Sequence, residues 1–157
     1  MASESSLARL EREGKLRRQA ADFDYLRDLL AAALRNFEAG RFLLNKADEA
    51  AFKLYYDGLL QVSRAVLLFR GYRPDDGEQH RTTFLAAGEI LGPRFEDVIR
   101  KIQKFRIKRN CCLYDPRDII GLSEAAAIHK TAREFWSQVR GRLKRENPQL
   151  VLFDELS

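Results

Sequence analysis

The sequence predicts an all-α protein, built as an antiparallel bundle of four main helices with one or two accessory helices. Three observations lead to this class. Apolar residues recur at the three- and four-residue steps of a helix face through four long segments. Glycines, prolines and capping residues separate these segments. Strand-like character is convincing only in the tail segment LVLF, 150–153, so almost no sheet is expected.

The first helices follow from apolar spacing and glycine positions. Residues 1–20 mix leucines with many charges around Gly14, which predicts a short accessory helix or a frayed arm. The first main helix is expected to begin at Asp22 and to stop at Gly40, with a short connector over 41–49. Its predicted buried face consists of Tyr25, Leu26, Leu29, Leu30, Ala33 and Phe37.

The longest helix is predicted over 47–70, where six apolar residues follow a strict alternation of three- and four-residue steps. Additional leucines widen its apolar surface beyond one stripe, so this helix is expected in the middle of the bundle. Gly58 in its interior costs about 1 kcal/mol relative to alanine, which indicates the close approach of a neighbouring helix. Gly71 is expected to end the helix, and 72–79 has the composition of a turn.

A short helix and a longer one are predicted next. The short helix begins at His80 or Arg81 and stops at Gly92. Pro93 suits the first turn of the helix that follows it. That helix is expected to end before the pair 115–116, Asp-Pro, because proline disfavours helical backbone in the residue before it.

The last main helix is predicted from Ser123, a candidate N-cap, to a point just before Pro148. Its apolar residues form one continuous face, which is typical of an amphipathic helix on a bundle surface. The chain therefore divides into an N-terminal accessory segment, 1–20, a helical bundle, 21–147, and a C-terminal tail, 148–157. The tail is expected to dock on its own bundle or on a partner.

The composition limits the classes of function. The chain has 157 residues, of which 45% are apolar, enough for one domain with a real core. There is no apolar segment of a signal peptide and no run of the roughly 20 apolar residues that span a bilayer, so a soluble, cytoplasmic protein without a membrane role is expected.

Cysteine and histidine are scarce. Cys111 and Cys112 are adjacent and suit a reducing compartment better than a disulfide framework. His80 is expected to make a local hydrogen bond at a helix start, and His129 to pack beside the apolar stripe of the last helix. No metal-ligand spacing, glycine-rich phosphate loop or nucleophile elbow occurs, so no metal or other cofactor is expected.

The net charge of +5 is unevenly distributed. Residues 101–118 contain six Lys or Arg and two Asp, and residues 130–145 contain six Lys or Arg and one Glu. The rest of the chain is therefore net acidic. A polarised basic surface suits phosphate-bearing or acidic partners. It is also common on helical proteins that bind neither.

The helix before the Asp-Pro pair carries an arginine on an otherwise apolar face. Because an unpaired buried guanidinium is very costly, Arg109 is expected to pair with a carboxylate such as Asp57 or Asp115, to reach an edge, or to face a partner or ligand. The ion pair is the ordinary interpretation. The face consists of Val98, Ile102, Phe105, Arg109 and Cys112.

Three further polar residues accompany Arg109. Arg106 lies three residues before it, and Asn110 and Tyr114 follow Arg106 at four and eight residues. Residues at these spacings share a helix surface, so the four are expected to form one polar cluster at the end of the helix. This cluster is the candidate functional site.

The chain resembles the HEPN domains, the helical family named for higher eukaryotes and prokaryotes nucleotide-binding. The resemblance covers about residues 16–145. It is carried by AFKLYYDGLLQVSRAVLLFRGYRP at 51–74, by His80 after a short gap, and by FRIKRNCCLYD at 105–115. The last segment resembles the family motif in which an arginine is followed four to six residues later by a histidine.

The resemblance implies a bundle that dimerises and brings the arginine motif of each protomer to a shared cleft. Active members are metal-independent endoribonucleases, often toxins of bacterial or archaeal toxin–antitoxin pairs that include a nucleotidyltransferase. Arg109 takes the arginine place and Asn110 the polar place after it. The histidine place falls on Tyr114, whose reference pKa of about 10 makes it a poor general base at pH 7. The place of the family's nucleotide-accepting tyrosine falls on Pro116.

The resemblance therefore implies a degenerate HEPN protein without strong ribonuclease activity. It is expected to form a homodimer and to bind RNA, a nucleotide or a partner nucleotidyltransferase. Arg106, Lys108, Arg109 and Asn110 would contact phosphate, while Tyr114 would hydrogen-bond or stack in the dimer cleft. One alternative is a weak, metal-independent endoribonuclease whose composite site uses Arg109, Asn110 and Tyr114 of both chains. The other is a purely structural interaction module.

Overall fold

The computed structural model describes residues 4–148, so the predicted strand character of 150–153 lies outside the described residues. Within that part the fold is mostly helical, and the predicted all-α class is confirmed. The elements in chain order are α1 Ser6–Arg12, β1 Leu16–Arg18, α2 Phe23–Leu43, α3 Asp48–Phe69, β2 Tyr72–Pro74, α4 Gln79–Leu91, a 3-10 turn Pro93–Phe95, α5 Glu96–Tyr114 and α6 Leu122–Glu146.

Helix α3 is the centre of the bundle. It packs against α2, α4, α5 and α6, and its residues are buried on several sides, as the wide apolar surface predicted. The close approach expected at Gly58 is also confirmed. A Cβ atom added there would lie 2.3 Å from Cε1 of Phe37 on α2. The missing side chain of Gly58 thus makes room for a buried aromatic ring.

The predicted stop of α2 at Gly40 is wrong. The helix continues to Leu43, because Gly40 is a packing glycine: an added Cβ would lie 2.9 Å from the ring of Tyr55. The chain turns later, at Asn45, which has a positive φ of 69°. Asparagine tolerates this left-handed backbone, and its N–H donates to the carboxylate of Asp48, 2.8 Å away. The connector is therefore shorter than expected.

The two short strands were not predicted from the sequence. They pair antiparallel, with Arg17 opposite Arg73, and tie the N-terminal segment to the connection between α3 and α4. The accessory helix before them is present as α1, and its Leu10 is only 3% exposed. The burial predicted for Tyr25 is wrong, since this first-turn residue of α2 is 49% exposed.

Helix α5 ends at Tyr114, immediately before the Asp-Pro pair, as predicted. The predicted start of α6 is wrong. The N-cap is Gly121 and not Ser123, because the Gly121 N–H donates to the carboxylate of Glu124 at 2.7 Å. Helix α6 ends two residues before Pro148, in agreement with the expectation. None of the helices within 4–148 has the length and apolar character needed to span a membrane.

Candidate functional site

A surface cleft of about 580 Å³ lies between the start of α4 and the C-terminal half of α5. The α5 wall includes Arg106, Arg109, Asn110 and Tyr114. These four residues are the cluster expected from the sequence, and their three- and four-residue spacing brings them to one side of the helix. The opposite wall is formed by residues 76–81.

Arg109 is half-buried and makes no ion pair with any described residue. Its guanidinium lies over the ring of Tyr56, 4.9 Å from the ring centroid. Neither carboxylate considered from the sequence binds it: Asp115 pairs with Arg117 at 3.1 Å, and Asp57 makes no salt bridge within the described part of the chain. Partial desolvation raises the pKa of Asp57, and the charge of Arg109 opposes that rise.

Arg106 is held in place without a carboxylate. Its Nε donates to the side-chain oxygen of Gln103 at 2.7 Å, and Gln103 in turn donates to the backbone carbonyl of Arg81 at 3.2 Å. This chain of hydrogen bonds links α5 to the first turn of α4. The guanidinium therefore has a fixed position at the cleft and keeps donors for a ligand.

The acidic residues of the cleft, Asp76 and Glu78, do not pair with its two inward arginines. Glu78 pairs with Arg81 at 3.3 Å. One carboxylate oxygen of Asp76 accepts a hydrogen bond of 2.6 Å from the Thr82 hydroxyl, while its other oxygen is buried without a partner. Neither acid reaches Arg106 or Arg109, so these two cations dominate the open side of the cleft.

His80 also lines the cleft, although the sequence did not place it in the candidate site. Its Nδ1 forms a hydrogen bond of 3.0 Å with the hydroxyl of Tyr56 on α3, not the local bond expected. Burial, followed by the charge of Arg109, lowers the pKa of His80, so the imidazole is mostly neutral at pH 7. Burial likewise raises the pKa of Tyr56 to about 12.

A second tyrosine–histidine pair occurs on the other side of α3. The Tyr55 hydroxyl and Nδ1 of His129 on α6 are 2.5 Å apart, and burial is the main cause that lowers the pKa of His129. The signal for both pairs is present in the sequence. Two adjacent tyrosines on a very apolar helix each need a hydrogen-bond partner for a buried hydroxyl, and the chain has only two histidines.

Lys108 does not join the cluster. Its ammonium binds Asp118 at 2.6 Å and Glu124 at 3.4 Å, on the side of α5 that faces α6. The hydrogen bond to Asp118 is the main cause that raises the pKa of Lys108 to about 12. Lys108 is two residues from both Arg106 and Asn110, about 160° around the helix, so it points away from the surface that these two residues share with Arg109.

Tyr114 lies at the mouth of the cleft and is 83% exposed. Asn110 is half-buried beside it and makes no hydrogen bond through its side chain to any residue of 4–148. Both side chains are therefore free to meet a ligand or a second chain. Among the described residues, no group of three or more His, Cys, Asp and Glu side chains is arranged to hold a metal ion.

Comparison with known proteins adds no relative. No protein-family model, curated protein or solved structure matches the chain. The HEPN resemblance therefore stays a prediction, and it contributes to this protein's function only as part of a proposal.

The two buried histidines predict a pH-dependent stability. Both have a pKa below the ordinary 6.5, so the unfolded chain binds more protons than the folded chain as the pH falls through and below 6.5. The free energy of unfolding should therefore decrease as the pH falls from about 7 through 6.5. Chemical denaturation at a series of pH values measures this slope.

The variants His80→Gln and His129→Gln should each make that slope shallower, because glutamine does not titrate in this range. The double variant should remove the histidine contribution, since no other histidine is present. An unchanged slope in the double variant would show that the histidines are not held neutral by the fold.

Proposed function

We propose that the cleft between α4 and α5 binds a phosphate-bearing ligand, RNA or a nucleotide, in a HEPN-like dimer without strong ribonuclease activity of its own. The observation that carries the proposal is the pair Arg106 and Arg109. Both guanidiniums are half-buried at one cleft, and neither forms an ion pair with a described residue.

The energetics favour an anion at this position. A cation that is partly removed from water without a counter-charge is unfavourable, and a bound anion relieves that cost. Guanidinium matches the geometry of phosphate, because two parallel N–H groups can donate to two phosphate oxygens. The structural alternative lacks this support, since the ion pair that it would use, from Arg109 to Asp57 or Asp115, is not formed.

The surroundings of the arginines support a ligand that carries a base as well as a phosphate. Tyr114 presents an exposed aromatic ring at the cleft mouth, and a base can stack on such a ring. The free amide of Asn110 can donate to and accept from a base or a ribose hydroxyl. Phosphate contacts fix position, while stacking adds affinity for nucleotides over inorganic phosphate.

The proposed dimer rests on exposed apolar side chains around the end of α5. Burial of such residues is favourable, so a second copy of the chain or the partner nucleotidyltransferase would cover them. A homodimer through this surface would bring two clefts close together. The residues, with their exposed fractions, are Ile107 53%, Leu113 60%, Tyr114 83%, Ile119 69% and Leu122 47%.

One observation favours the endoribonuclease alternative. The family motif places a histidine where this chain has Tyr114, but His80 supplies an imidazole to the same cleft from α4. Its Nε2 has no hydrogen bond to a described residue. In the tautomer whose Nδ1–H donates to the Tyr56 oxygen, the lone pair of Nε2 is available to accept a proton.

The corresponding reaction needs only water beside the RNA. His80 would take the proton of a ribose 2′-hydroxyl while the 2′-oxygen attacks the adjacent phosphorus. The bond from phosphorus to the 5′-oxygen would break, and that oxygen would take a proton from water. The hydroxide left behind would take back the proton held by His80, so that both His80 and the water are regenerated. Arg109 would stabilise the negative charge that develops on the phosphoryl oxygens. The products would be a 2′,3′-cyclic phosphate and a 5′-hydroxyl.

One assay separates the two functions. A labelled single-stranded oligoribonucleotide is incubated with the protein in EDTA and resolved on native and denaturing gels. We expect the wild type to retard the RNA and leave it intact. RNA that is neither retarded nor cut, even at low salt, would contradict the proposal.

Cleavage by the wild type would support the alternative only if it depends on His80. Loss of a general base typically costs about 10²- to 10⁴-fold in rate, so His80→Gln should then abolish the cut products while RNA is still retarded. The variant Tyr114→His restores the family motif. New cleavage in Tyr114→His, from an inactive wild type, would support a degenerate site.

A further inference from the structure

A second pocket, of about 260 Å³, lies on the far side of the α4 start from the α5 helix. It is bounded by the β1–β2 ribbon, the first turns of α2 and the C-terminal half of α3. Gln79 lines both this pocket and the cleft, so the two sites are separated by the first turn of α4. Neither the apolar periodicity nor the family resemblance points to this pocket.

Arg64 on α3 is the main charged group of the pocket. It is half-buried and forms no hydrogen bond or ion pair with any residue in 4–148. The other cation of the pocket, Arg73, has a carboxylate 3.5 Å away on Asp75. Arg64 is also close enough to His80 for its charge to add to the lowering of the His80 pKa, after burial and Arg109. Because an unpaired guanidinium that is partly removed from water is unfavourable, a bound anion would stabilise it.

The remaining walls favour a ligand with a flat, apolar body. Leu29, Leu68 and Pro74 provide apolar surface. Tyr25 leaves 49% of its surface exposed at the rim, although its helix position predicted burial. An aromatic ring in this position can stack on the ring of a ligand. The side-chain amide of Gln79 adds a donor and an acceptor.

We infer that this pocket binds a small organic anion, a phosphate or carboxylate attached to a single flat ring, with the anionic group on Arg64 and the ring against Tyr25. The volume is just below the roughly 300 Å³ at which pockets for drug-sized ligands begin, so the site suits a one-ring compound and not a polymer. The inference does not depend on RNA binding at the cleft.

Titrations of the ¹⁵N-labelled full chain test the inference with three probes: phenyl phosphate, benzoate and inorganic phosphate. We expect one of the ring-bearing anions to bind more tightly than inorganic phosphate and to shift the amide signals of Gln19 and Tyr72, which line this pocket and not the cleft. The comparison of phenyl phosphate with benzoate shows which anionic group the site prefers. Absence of these shifts for every probe up to about 10 mM would overturn the inference.

Variants assign the binding to Arg64. The variant Arg64→Gln should weaken binding of the preferred anion at least about tenfold, because it removes a charge-assisted hydrogen bond. The matched control Arg94→Gln removes the same charge from an exposed residue without a partner in the described part of the chain and should bind like the wild type. Equal affinity in Arg64→Gln and the wild type would overturn the inference.

Two further variants complete the test. One replaces Arg64→Gln if that variant does not fold, and the other removes phosphate binding at the cleft. If Arg64→Gln does not fold, Tyr25→Ala serves in its place, since Tyr25 is exposed: it should weaken phenyl phosphate or benzoate binding and leave inorganic phosphate unchanged. Equal losses for all probes would contradict the stacking contact. Arg109→Gln should leave binding at this pocket intact, so failure here is distinguishable from failure of the proposed function.

Discussion

The variant Arg109→Gln is expected to weaken RNA binding by roughly 10- to 100-fold, the loss of one or two charge-assisted hydrogen bonds to phosphate. Folding stability should change little. No carboxylate loses its partner, because Arg109 makes no ion pair with a described residue, and its contact with the Tyr56 ring contributes about 0.5–1 kcal/mol. Fluorescence anisotropy gives the affinity, and thermal unfolding gives the stability.

A matched control exists on the same helix. Lys108→Gln removes one positive charge from the neighbouring position, but its ammonium is bound to Asp118 and Glu124 and lies away from the cleft. It should therefore retain most of the affinity. The salt dependence gives a second readout. Loss of one phosphate contact should reduce the slope of log K against log salt concentration by about 0.7 for single-stranded RNA.

Each alternative has its own signature in this pair of variants. If the chain is a structural module, Arg109→Gln should mainly lower the melting temperature, and RNA affinity should be absent in the wild type as well. If binding is only a general effect of positive charge, Arg109→Gln and Lys108→Gln should weaken it equally. Only an unequal loss, larger for Arg109→Gln, supports a cleft that holds phosphate.

The helices could be predicted well where the signal is local. The apolar steps and the flanking glycine gave 47–70 for α3, and the structure has Asp48–Phe69. The end of α5 followed from the Asp-Pro pair. Errors arose where a distant residue decides the role of a local one. Gly40 is a packing glycine against Tyr55 and not a helix stop, which only the tertiary arrangement reveals.

The two strands show the same limit. Each has three residues, too few for a period of two to be visible, and their pairing joins segments more than 50 positions apart. The burial pattern of β1, with Leu16 covered and the next two residues exposed, shows no full alternation. Such a ribbon is stabilised by its position over the core and not by the propensity of its residues.

Some residues of the candidate site could be predicted from the sequence and others could not. Arg106, Arg109, Asn110 and Tyr114 belong to one helix, so their spacing alone brought them to one surface. His80 and Tyr56 come from two other helices, and no spacing rule relates them to α5. Lys108 could have been excluded from the sequence, because it is two residues from both Arg106 and Asn110 and therefore lies about 160° around the helix from each of them. Arg64 gave no signal, since a single arginine on an apolar helix is ordinarily solvated.

The variant Gly58→Ala is expected to destabilise the fold by about 1–2 kcal/mol. The new Cβ would lie 2.3 Å from the buried ring of Phe37, far inside contact distance, and overpacking of this kind costs about 1–3 kcal/mol. The higher helix propensity of alanine returns up to about 1 kcal/mol. The free energy of unfolding in urea measures the balance.

A glycine-to-alanine substitution at an uncrowded helix position should instead increase the free energy of unfolding. Gly141 lies inside α6, and its added Cβ would meet only Arg145, at an ordinary 3.6 Å, so Gly141→Ala should stabilise the protein by up to about 1 kcal/mol.

In Phe37→Leu, a smaller side chain faces position 58. Gly58→Ala should then cost less than in the wild type, giving a coupling energy in the double-mutant cycle. Equal effects at positions 58 and 141 would show that α2 can shift away from α3. The close approach of the two helices would then not be a fixed feature of the bundle.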